Sequence, residues 1–155
     1  LRARLADIKG DVSVSLWFWN GMPEGARDVS GWLISRDHDH GLSVAGEHLG
    51  LGGKSGQTSR LIFQSGLDAA KWVIGKTVVP RWQWQHLVYV REGDKVRVYL
   101  NGTLDLEAEA AQSSIPQWFF AGRSDNDSNW EGRIDEVAVF DRALSAAEAA
   151  GLFVR

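Results

Sequence analysis

The chain has 155 residues, 44% of them hydrophobic, enough for one domain to bury a core without covalent staples. It has no cysteine, which excludes disulfides and thiol chemistry, and its net charge of -3 offers nucleic acid no basic surface. No apolar run reaches the length of a membrane span, so membrane insertion is not expected, and the opening LRARLADIKG lacks a signal-peptide core.

The stretch VSVSLWFW, from Val12 to Trp19, alternates strictly. Val12, Val14, Leu16 and Phe18 face one way and Ser13, Ser15, Trp17 and Trp19 the other, which is the signature of a strand. NGMPEG then breaks the chain with two glycines and a proline. GWLISR, GLSVAG, HLGLGG and RLIFQS read as short strands between glycine or polar turns. WQWQHLVYVR, from Trp82 to Arg91, and KVRVYLN, from Lys95 to Asn101, flank EGD and predict a hairpin. Asn101-Gly102 turns the chain back through TLDLEAEA, and QWFFAG and GRIDEVAVF supply the last two strands. One stretch reads as a helix. Ser145 is a good N-cap with Glu148 three residues on, a capping box, and AAEAA propagates it as far as Gly151. Many short strands and one terminal helix argue for an antiparallel sandwich, a single domain over residues 1–155.

Taken in order, VSVSLWFW, WQWQHLVYVREGDKVRVYLNGTL and WEGRIDEVAVFDRALSAAEAAGLF resemble the laminin-G-like jelly-roll family of the concanavalin-A-like lectin and glucanase superfamily. Trp84, His86, Tyr99, Asn101 and Gly102 stand where that family's hairpin has them, and the family's Gly-x-Ile-Asp-Glu-Val tail begins at Gly132. The middle of the chain, residues 36 to 80, matches loosely. The family opens with a further strand before VSVSLW, where this chain has only LRARL, so that strand is abbreviated or the chain is cut from a larger protein. The resemblance implies an all-β fold, an antiparallel two-sheet jelly-roll sandwich with one short C-terminal helix. It does not imply one function, because such folds carry sugar-binding modules, adhesion modules and, more distantly, glycosidases.

The carboxylates separate these readings. Retaining glucanases of this fold carry Glu-x-Asp-x-Glu on one strand, with nucleophile and acid about 5 Å apart. DLEAE, with Asp105, Glu107 and Glu109, alternates correctly but has the wrong residue order, and reads as a solvated strand face. In RIDEV, regular alternation sets Asp135 on a face with Val137 and Val139, and Glu136 with Ile134 and Phe140. A carboxylate on an apolar face needs a cation or several donors. The resemblance makes Asp135 the residue to hold a structural calcium, a hard cation taking oxygen ligands; a salt bridge or hydrogen-bonded Asp135 is the alternative. RSDNDSNWEG places Asp125, Asp127 and Asn129 at alternating positions, but Trp130 stands where an EF-hand loop needs glycine, so it reads as a polar loop able to meet hydroxyl groups. His38 and His40 in RDHDHG form either a polar turn or half of a zinc site that His48 would complete.

Eight tryptophans against two tyrosines raise a second question. Trp17, Trp84 and Trp130 fall where the family has aromatics and are read as packing. Trp19, Trp32, Trp82 and Trp118 are less expected there, and are the candidates for stacking on a sugar ring, with Asp125, Asp127 and Asn129 to fix its hydroxyls. The chain is therefore read as a non-catalytic, glycan-binding module of a larger exported bacterial protein, secreted or held at the cell surface or in the periplasm. The alternatives are a protein-interaction or adhesion module and, third, a glucanase-type hydrolase.

Overall fold

The computed structural model describes residues 1–5, 8, 10–125 and 127–154. Among these the strands are β1 (Arg2–Arg4), β2 (Val12–Asn20), β3 (Val29–Arg36), β4 (Glu47–Gly52), β5 (Arg60–Ser65), β6 (Val73–Val78), β7 (Trp84–Glu92), β8 (Lys95–Leu100), β9 (Thr103–Glu109), β10 (Gln117–Phe120) and β11 (Gly132–Phe140); one helix, α1 (Ala146–Phe153), follows. They form two antiparallel sheets, ordered β1-β10-β3-β4-β5-β6 and β11-β2-β7-β8-β9. This is the expected two-sheet sandwich.

The core follows from alternation. Val12, Val14, Leu16 and Phe18 of β2 are fully buried and pack with Leu33, Leu49, Leu51, Leu61 and Phe63 of the other sheet. Each such side chain contributes about 1.5–3 kcal/mol of burial. One buried polar cluster bridges the two sheets. The Glu47 carboxylate accepts from the Tyr89 hydroxyl at 2.6 Å and from the Arg91 guanidinium, which also donates to the Ala110 carbonyl at 2.6 Å. Burial and the Glu47 charge push the Tyr89 phenol above its ordinary range, so it remains a donor.

α1 lies on the outer face of the five-stranded sheet, where Leu144 and Ala149 pack on Val88, Val90 and Tyr99. Its capping box is present, with the Ser145 amide donating to Glu148 at 2.8 Å. The helix runs past Gly151 because Leu152 packs on the same cluster, and this contact offsets the roughly 1 kcal/mol cost of glycine.

Several local expectations change. Gly41 to Gly46 forms turns, not a strand, and β6 is an additional strand. A strand does precede VSVSLW: β1 pairs with β10. The largest change concerns RIDEV. A β-bulge interrupts the pairing of β11 with β2 between Asp135 and Ala138, and Glu136 takes a left-handed backbone at φ 49°. The extra residue shifts the alternation, so Ile134, Val137 and Val139 all pack toward the core while Asp135 and Glu136 are exposed. Asp135 therefore does not share a face with Val137 and Val139, because regular alternation does not survive the bulge.

Candidate ligand-binding groove

On its outer face the six-stranded sheet carries a groove of about 830 Å³. Trp32 of β3 is its floor. Its ring lies over Gly50 of β4, where a Cβ would come within 2.8 Å of Trp32 Cε3, so glycine is what lets the indole lie down on the sheet. Trp72, in the connection before β6, stands edge-on to Trp32 with ring centroids 6.3 Å apart. Its indole N–H donates to Gln64 Oε1 at 2.9 Å, and Gln64 is held in turn by the Gly66 carbonyl at 2.8 Å. Val29, Ile62 and Ile74 complete this apolar patch.

The polar lining is organised by two arginines. The Arg123 guanidinium sits 5.1 Å above the Trp32 ring and donates to Asp125 at 2.8 Å and Asp127 at 3.1 Å. Arg27 donates to the carbonyls of Ser30 and Asn129, tying the loop before β3 to the loop before β11. Asp28, Ser55, Gln57 and Asp127 reach the rim, as does the apolar Leu67. Beneath the floor, His48 is buried with its ring 5.5 Å from Trp32. Burial first, then the Arg123 charge, holds its pKa down to about 4, so the ring is neutral at pH 7. Asp37 lies 3.6 Å from Nε2 but is already occupied by the amides of His38 and Ser43 and by the Ser43 hydroxyl.

The seven residues expected to meet a sugar do not assemble at one place. Asp127 lines the groove and Asp125 supports it through Arg123; Asn129 pairs with Trp32 through the backbone. Trp32 points into the groove but is only 1% exposed, because Arg123 and Trp72 cover it. Trp118 is also 1% exposed; it is a core residue, packed against Arg36 and Tyr89 between the sheets, and cannot stack on a ligand. Trp19 and Trp82 lie on the five-stranded sheet's side of the molecule, 5.0 Å apart, away from the groove. Trp84, read as packing, is instead 41% exposed. Trp72, the half-buried indole at the groove, was missed. Its signal was a lone tryptophan after Lys71 in a stretch without strand alternation.

Asp105 turns toward the sheet edge and accepts from the Thr77 amide at 2.8 Å, while Glu107 and Glu109 are exposed, so DLEAE does not bring its carboxylates into one cleft. His38 and His40 are exposed and His48 is buried in a separate place, so the three histidines do not converge. Among the described residues no three His, Asp or Glu side chains are grouped to hold a metal ion. Asp135 has one oxygen engaged by the Glu136 amide at 2.8 Å. A calcium there would draw most of its oxygen ligands from main chain and water.

Two antiparallel sheets with a terminal helix against one of them define a jelly-roll of the lectin type. The chain belongs to the concanavalin A-like lectin/glucanases superfamily: the family model Laminin_G_3 matches residues 2–150. No curated protein matches its sequence. Among solved structures it is similar to domain 4 of AbnA, a GH43 extracellular arabinanase from Geobacillus stearothermophilus in complex with arabinotriose, at 20% identity and TM-score 0.66, covering 97% of this chain and 70% of that one. It is also similar to the CBM40 of Ruminococcus gnavus IT-sialidase bound to alpha2,3 sialyllactose, at 12% identity and TM-score 0.69, covering 93% and 82%. The NanB sialidase of Streptococcus pneumoniae gives TM-score 0.71 at 13% identity, but this chain covers only 26% of it. At these identities the likeness is one of fold.

Proposed function

We propose that the domain is a non-catalytic carbohydrate-binding module that takes a glycan in the groove on the six-stranded sheet. The observation that carries this is Trp72: a half-buried indole, fixed by its bond to Gln64 and its edge contact with Trp32, beside Arg27, Asp28, Gln57 and Asp127. A pyranose or furanose ring stacks its apolar face on an indole and offers hydroxyls that both accept and donate, which a lining of arginine, glutamine and aspartate matches. The arabinanase domain and the CBM40 are each bound to an oligosaccharide, which supports the same class of ligand here. The groove's own carboxylates are Asp28 and Asp127, and Asp127 is tied up with Arg123, which supports a binding role over hydrolysis. A module of an exported bacterial protein fits these relatives, one of which is an extracellular enzyme.

The test is a glycan array followed by calorimetry on the hits. Trp72→Ala is expected to weaken binding roughly ten-fold, the loss of one aromatic platform, and to lower the melting temperature through the lost packing on Trp32, so binding is measured well below the transition. A blank array, or hits that Trp72→Ala leaves intact, would sink the reading and leave a protein-interaction module.

A further inference from the structure

Helix α1 and the residue before its cap pack on Val88, Val90 and Tyr99 of the five-stranded sheet, and Phe153 near its end reaches Trp17. Further along this face the cross-strand rows read Asp135–Trp17–His86 and Arg133–Trp19–Trp84. Trp17, Trp84, Asp135 and Glu136 enclose an open pocket of about 350 Å³. Trp17 is held from behind by His86 at 5.0 Å and by Phe153 at 5.9 Å. Trp84 stands free at 41% exposure.

The composition of this pocket is unusual for an exposed sheet face. Its walls are two indoles and two carboxylates, and among the described residues no basic side chain lines it. The nearest basic group along the strand, Arg133, is drawn off over the Trp19 ring at 5.1 Å. His86 adds no charge at neutral pH, since burial lowers its pKa and its Nε2 is bonded to Ser15 at 2.9 Å. The second carboxylate is there only because of the bulge: Glu136 occupies a left-handed conformation that disfavours a side-chain-bearing residue by about 1 kcal/mol or more.

We infer that this pocket binds an organic cation, an alkyl- or trimethylammonium group, against the Trp17 and Trp84 indoles with Asp135 and Glu136 as counter-charges. An ammonium carrying methyl groups is weakly hydrated and gains both from the negative faces of indole rings and from apolar contact with them. A neutral sugar finds acceptors here but, among the described lining side chains, no donors beyond the indole N–H groups. A calcium ion gains nothing from indole and needs six to eight oxygens.

The probe is choline, titrated by calorimetry into the whole domain. Its uncharged carbon analogue, in which tert-butyl replaces trimethylammonium, serves as the control. Saturable choline binding is expected, with the analogue roughly ten-fold weaker. Trp84→Ala and Glu136→Gln should each weaken choline by a similar factor while melting like the parent, both residues being on the surface. Equal affinity for the uncharged analogue would overturn the proposal. So would choline binding that neither variant affects, absence of saturable binding, or displacement of choline by stoichiometric calcium.

Discussion

Burial strips the His48 ring of water beside Trp32, and the consequence is a defined pH dependence. The folded-state pKa of about 4 lies below the ordinary value of 6.5, so below pH 6.5 the unfolded chain binds a proton that the folded chain refuses. The stability associated with neutral His48 is complete above pH 6.5 and is lost as pH falls toward 4, up to about 3 kcal/mol in all. Urea melts of the parent and of His48→Gln across that window check this, and the variant should show a shallower acid slope. At this scale the sequence revealed direction better than exposure. Trp32 does face out of its sheet, yet Arg123 and Trp72 close over it, and both arrive from segments distant in the chain. No local pattern records such covering. Trp118 was beyond reach for another reason: its partners Arg36 and Tyr89 come from different sheets.

Among the elements, α1 was legible because its capping box is local chemistry. Ser145→Ala removes the side chain that receives the Glu148 amide and part of the carboxylate's anchorage, and should destabilise the domain by about 1 kcal/mol. A thermal melt measures it, and because the helix rests on Val88 and Val90 the whole transition should move as one. The hairpin of β7 and β8 was equally legible, since period-two alternation and a two-residue turn fix its register. β11 was not. The doublet Asp135-Glu136 breaks polar–apolar alternation in RIDEVAVF, but only pairing with β2 decides that one residue is looped out. β6 escaped for a related reason: VIGKTV alternates poorly, and it is a strand because β5 offers it an edge.

For the whole molecule, the sandwich and its family could be read from the chain, whereas the groove is assembled from loops whose packing only the fold brings together. The same consideration bears on calcium. Asp135 lies on the surface with one oxygen already bonded, so the demand for a cation that an apolar setting would create is absent. The melting temperature is expected to be the same in EDTA and in calcium; a rise with calcium that Asp135→Ala removes would restore a metal at that position. One further consequence belongs to this scale. β6 and β9 are the outer strands of the two sheets, and at their seam the Asp105 carboxylate, fitted against Gly75, takes up the amide of Thr77. An edge amide so occupied is not offered to a strand of a neighbouring copy, so at this position the seam is guarded against edge-to-edge pairing.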